Sequence, residues 1–268
     1  MQAHSATVAA NGTQLYYELA GDGPVVTLLH GFSLDCRMWD QQFAPFAREF
    51  RMLRYDLRGF GRSGDVGEEP YSPADDLAAL LDHLGIASTA VIGLSMGGGC
   101  AIDFALAYPQ RTTALVAADS ALAGYEWTAG RPSAWHSELA ATHGVAAARQ
   151  AWLGCALFQP AAEKPEVAAA LRRLVDDYSG WHWLNENPVS APSGPAIEHI
   201  GEIACPSLIL VGERDTADFH IVADRLAEDI PDATLTRIPG AGHMSNMESP
   251  GEFNAAVLNF LRATASVR

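Results

Sequence analysis

Lysine is almost missing from this chain. Lys164 is the only one in 268 residues, and 17 basic side chains face 32 acidic ones, for a formal charge of −15. With no basic run or stripe to neutralise a phosphate backbone, nucleic acid and anionic membrane are poor partners. The acidity reads as a solvated surface that repels its own copies, and a homo-oligomer is left open. Cysteine is also scarce. Cys36, Cys100, Cys155 and Cys205 form no CxxC or Cys/His metal spacing, so reduced thiols and no metal site are expected. Cys100, in an apolar stretch after a glycine run, reads as a small buried residue. Long hydrophobic runs are absent too. Residues 1–10 carry no basic segment leading into an apolar core, and the longest early apolar run, 25–29, is interrupted by Thr27. No secretory or membrane-spanning segment is expected, and the cytoplasm is the expected compartment.

What remains is globular usage, 49% apolar and 18% charged, with enough length for one sizeable core carrying an insertion. Residues 6–10 and 13–19 are strand-like and flank Asn11-Gly12, a tight hairpin signal. From residue 25 the style changes. Strands are expected at 25–29, 51–55, 89–93, 113–118, 207–211 and 233–238. Helices are expected at 73–84, with Ser72 as N-cap and Pro73 first, and at 95–108, 217–229 and 250–263. That alternation implies a mostly parallel sheet covered on both faces. Between 124 and 200 helical stretches, 144–157 and 161–178, come without strand signals. Five of the six tryptophans lie there, so residues 124–200 are expected to form a helical cap inserted in a core of 1–123 and 201–268.

The strongest local signal is Gly93-Leu94-Ser95-Met96-Gly97, a GxSxG placed between an expected strand and an expected helix. A nucleophile on so sharp a turn needs strained backbone angles and close neighbours, which glycines on either side permit. At a helix amino terminus, free N–H groups favour developing negative charge. By itself GxSxG is as often an ordinary turn, but a serine hydroxyl needs a base and the base needs an orienting acid. Asp215 follows the 207–211 strand and His243 follows the 233–238 strand, so Ser95, Asp215 and His243 are the candidate catalytic triad. The backbone N–H groups of Phe32, after the 25–29 strand, and Met96 are the candidate oxyanion-hole donors. Phe32 is also the aromatic residue expected to touch substrate. His30 is read as bracing its loop.

Four separated stretches carry a family resemblance: His30-Gly31-Phe32, the run from Asp56 to Ser63, the serine turn, and the Asp215 and His243 loops. Together they resemble the serine hydrolases of the α/β-hydrolase superfamily over nearly the whole chain, with the triad in the order Ser, Asp, His that this fold uses. Trp39, residues 71–85 and residues 93–98 are similar to the 3-oxoadipate enol-lactonases and related esterases. The resemblance implies an α/β-hydrolase fold and cleavage of a small apolar carboxylic ester or lactone through an acyl-enzyme on Ser95, with no cofactor. It leaves Ser63 structural.

Asp119, at the end of the 113–118 strand, is a rival triad acid, because some relatives supply it from there. Asp218 is a further rival, better suited to the first turn of the next helix. The remaining histidines read as surface or packing residues. The tryptophans read as packing in a small cap whose inner face would supply a largely hydrophobic acyl or ring pocket. Three other activities share this pattern: hydrolysis of a carbon–carbon bond in a diketone, a cofactor-free perhydrolase or haloperoxidase-like reaction, and a binding protein that keeps the triad without turnover.

Overall fold

The computed structural model describes residues 3–128, 130, 134–190 and 194–265. Strands β1 (His4–Ala10) and β2 (Thr13–Ala20) pair antiparallel around Asn11-Gly12, and both turn residues have positive φ, 45° and 75°. These are the angles a two-residue hairpin turn requires if its twist is to match the strands. β3 (Val25–Leu29) leads into a 3-10 turn at Cys36–Trp39 and the short helix α1 (Asp40–Phe46), then β4 (Arg51–Tyr55). Helix α2 (Pro73–His83) starts on Ser72, whose hydroxyl accepts from the N–H groups of Ala74 and Asp75. β5 (Thr89–Leu94), α3 (Met96–Ala107) and β6 (Thr112–Ala118) complete the first half.

Between β6 and the next strand the described elements are all helical: α4 (Ala134–His143), α5 (Val145–Leu153), α6 (Gln159–Ala162), α7 (Pro165–Asp177) and α8 (Trp181–Leu184). The α/β pattern resumes with β7 (Ser207–Gly212), α9 (Ala217–Asp229), β8 (Ala233–Ile238), α10 (Ser245–Glu248) and α11 (Pro250–Ala265).

The eight strands form one sheet in the order β1-β2-β4-β3-β5-β6-β7-β8, parallel from β4 to β8. β5 and β7 are buried along their whole length, as expected of central parallel strands covered on both faces. Two consequences position the site. All loops that follow β3 to β8 leave from one rim of the sheet. And the chain places β4 on one side of β3 but β5 on the other, so the crevice where winding direction reverses opens between the loops after β3 and β5.

The structure corrects two sequence expectations and adds one helix. The stretch 161–178 is not one helix: the chain leaves helical geometry at Lys164 and α7 begins on Pro165, which disfavours helical angles in the residue before it. The helix expected at 144–157 ends at Leu153, with Gly154 as its C-cap. Helix α1 was not among the expected helices; it carries Pro45 near its end.

Candidate active site

Ser95 sits at the β5–α3 junction with φ 57° and ψ −119°, a backbone conformation that L residues adopt only under compulsion. The compulsion is visible. Its N–H donates to Ala118 O on β6, and its carbonyl accepts from Gly99 and Ala121. The turn is so tight that a Cβ at Gly93 would lie 2.0 Å from Gly97 O, and one at Gly97 would lie 2.3 Å from Leu29 O. Glycine is therefore required at both positions by backbone contact.

At the same rim, His243 Nδ1 and Asp215 Oδ2 are 2.9 Å apart, with side chains only 3% and 0% exposed. A carboxylate can only accept, so the neutral imidazole carries its proton on Nδ1 and leaves Nε2 as the free base. The other Asp215 oxygen accepts from Thr216 N–H. Asp119 makes different bonds: one oxygen accepts from Gly212 N–H at 2.7 Å and the other from the Ser245 hydroxyl. Burial, and then the charge of Asp215, push the Asp119 carboxyl well above the usual carboxylate range. Asp218 lies in the first turn of α9 and accepts from the Tyr125 hydroxyl and from Thr128. Of the three acids, Asp215 is the one hydrogen-bonded to His243 among the described residues.

The loop after β3 lies against the serine turn, since a Cβ at Gly31 would be 3.7 Å from Ser95 Cβ. His30 braces that loop. Its Nδ1–H donates to Gly31 O and its Nε2 accepts from Leu57 N–H, while burial holds the ring below its ordinary pKa. Neither the Phe32 nor the Met96 backbone N–H is bonded to another described residue. Ser63 is engaged elsewhere, donating to Asp56 O and accepting from Tyr16 N–H. Asp35, Cys36 and Asp56 lie close enough together to resemble a metal site. However, Asp56 accepts from the N–H groups of Cys36 and Arg62, and Asp35 pairs with Arg37.

A cavity of about 520 Å³ opens over Ser95 and is roofed by the helical segment. Phe32 is the hub of that roof. Its ring centroid lies 5.7–6.0 Å from those of Trp152, Tyr178, His182 and Trp183, and Trp152 Nε1 donates to Ser33 Oγ at 2.6 Å. Ser95 and the imidazole are not hydrogen-bonded to each other among the described residues; Phe219, which lines the cavity with Ser95, packs 4.2 Å, centroid to centroid, from the His243 ring. The expected apolar lining is present in Trp127, Trp152, Leu157 and Phe219. Arg58, which also lines it, belongs to the run from Asp56 to Ser63 that carried the family resemblance, but sequence reasoning missed other polar members, among them Asp76, Asp103, His182 and Asn187. Burial pushes His182 down to about 4. The spacing Ser95, Gly99, Asp103, four residues apart on one helix, was the signal available for Asp103.

A model of the alpha/beta hydrolase fold family matches residues 24–250. The chain is 29% identical over 265 residues to 3-oxoadipate enol-lactonase 2 of Acinetobacter baylyi, covering 94% of both. Among solved structures, the enol-lactonase from Burkholderia xenovorans LB400 superposes with a TM-score of 0.83 at 27% identity, over 96% of this chain and 100% of that one. A thermophilic esterase from Thermogutta terrifontis gives a TM-score of 0.83 at 29% identity, over 99% and 100%.

Proposed function

The chain belongs to the α/β-hydrolase fold family, and on that premise we propose that it is a serine hydrolase that cleaves a small carboxylic ester or lactone. One observation carries this reading: a buried His243–Asp215 pair on the same sheet rim as a serine held at positive φ. Support for the substrate class comes from similarity to enol-lactonases and an esterase, and from a cavity within the ~300–1,000 Å³ usual for small ligands.

In the proposed reaction Ser95 Oγ bonds to the acyl carbon while His243 Nε2 takes the hydroxyl proton, and Asp215 stabilises the imidazolium that forms. The N–H groups of Phe32 and Met96 receive the oxyanion. Collapse breaks the carbon–oxygen bond to the leaving alcohol, which takes the proton from His243. Water then adds to the acyl carbon with His243 again as base, and Ser95 is released. The Ser95–His243 hydrogen bond this requires is of the kind that tightens as substrate displaces solvent. We assign the helices from α4 to α8 the role of a cap that excludes water.

A fluorophosphonate probe is expected to label Ser95, and Ser95→Ala is expected to abolish turnover of a short p-nitrophenyl ester. Labelling at Ser63, or undiminished turnover by Ser95→Ala, overturns the assignment. A panel of esters, lactones and diketones separates carbon–oxygen from carbon–carbon cleavage.

A further inference from the structure

The cavity runs along one face of α3. Ser95, Met96, Gly99, Cys100 and Asp103 all line it, and at 1.5 Å rise per residue the span from Ser95 to Asp103 is about 12 Å. Asp103 is a half-buried carboxylate with no hydrogen bond and no ion pair among the described residues. Its neighbour in the cavity shows the contrast. Asp76 accepts from Arg58 Nε at 2.9 Å, Arg58 Nη2 at 2.5 Å and Asn11 Nδ2 at 2.7 Å, so the arginine that lines this cavity is already committed. Nothing offsets the charge of Asp103. Burial alone pushes its carboxyl up to about 6. A desolvated acid without a donor is costly, and a donor brought by a ligand removes that cost.

We infer that Asp103 is a specificity-determining residue that reads the end of the substrate remote from the scissile bond, favouring an amino or hydroxyl donor there and rejecting a carboxylate. This rests on the assignment of Ser95 as nucleophile. One consequence is selective against a relative's substrate class: an enol-lactone of a dicarboxylic acid keeps one free carboxylate, which this end of the cavity repels.

The test uses the full chain and two series of p-nitrophenyl or aryl-reporter esters of graded length. One series varies the tip of the acyl arm and the other the tip of the alcohol arm, each with amino, methyl and carboxylate ends. In the arm that lies along α3, kcat/KM for the amino tip is expected to exceed that for the carboxylate tip at least about tenfold near pH 8. Asp103→Asn is expected to bring that ratio close to one. The wild-type ratio is also expected to shrink near pH 5, as Asp103 takes up its proton. Of the titratable groups sharing the cavity, burial keeps Cys100 and Tyr71 protonated throughout this range and holds His182 down to about 4. Asp76, raised by burial, stays bonded to Arg58, and the Asn variant separates its titration from that of Asp103. A ratio near one in both series, or a ratio that Asp103→Asn leaves unchanged, overturns the inference. If that happens while Ser95→Ala abolishes turnover, the serine-hydrolase reading stands and only the role of Asp103 falls; turnover that survives Ser95→Ala removes the premise instead.

Discussion

Asp215, bonded to His243, and Asp103, in the cavity lining, are two shielded carboxylates that differ in what answers them. Asp215 is met on both oxygens, by His243 and by Thr216 N–H, while Asp103 is met by no described residue. The first arrangement fixes a side chain in one geometry, as the proposed catalytic role requires before substrate arrives. The second leaves an acceptor whose partner has to come from outside the chain. Asp76 shows that the fold could have answered Asp103 with a guanidinium and did not.

The largest effect separating the two is expected from Asp215→Asn. Loss of the acid that holds the imidazole tautomer is expected to lower kcat by about 10⁴, with the fold intact. Asp119→Asn is the comparison: if it costs as much and Asp215→Asn costs less than about tenfold, the acid role belongs to Asp119. Next is Arg58→Met, which strands Asp76 as an unpaired buried charge and is expected to lower stability by about 3–5 kcal/mol in urea unfolding. A loss under about 1 kcal/mol would mean that Asp76 is as tolerant of solitude as Asp103.

Asp103→Asn is expected to act in the opposite direction. The folded carboxyl titrates at about 6 against an ordinary 3.8, so the native state binds its proton more tightly than the unfolded chain. Ionisation therefore destabilises the wild type. Parent and variant are expected to match in acid, to diverge as pH rises through that interval, and to differ above it by about 2–3 kcal/mol in favour of Asn. Thermal melts across pH check this, and a variant no more stable near neutrality removes the claim that Asp103 lacks an internal partner. The smallest effect is expected from Trp152→Phe. It deletes the indole donor to Ser33 and is expected to cost about 0.5–1.5 kcal/mol, measured by the same melts, while keeping most of the aromatic contact with Phe32.

Punctuation in the sequence made much of the fold legible. Ser72-Pro73 opens α2, Asn11-Gly12 turns the first hairpin, and the bounds expected for α9 and β8 match those observed. The same rules were not applied at Lys164-Pro165, where the proline was overlooked, and the short helix α1, with Pro45 near its end, went unread. Asp103 was passed over for a different reason. In the run Ala101-Ile102-Asp103-Phe104-Ala105 it reads as a stray polar residue on a core helix, and its meaning depends on Ser95 two turns away and on a roof more than forty residues further along.

Order along the chain was settled locally: which segments extend, where they turn, and that a serine stands between a strand and a helix with an aspartate and a histidine after later strands. Short-range sterics and the two periodicities of strand and helix decide these, and they act within a few residues. Partnership is fixed by tertiary packing, although the sequence had already put Asp215 ahead of Asp119. That His243 takes Asp215 rather than Asp119, and that Arg58 satisfies Asp76 and leaves Asp103 unanswered, depends on distances between different elements and on the water that packing removes. Neither quantity is written in any local pattern of residues.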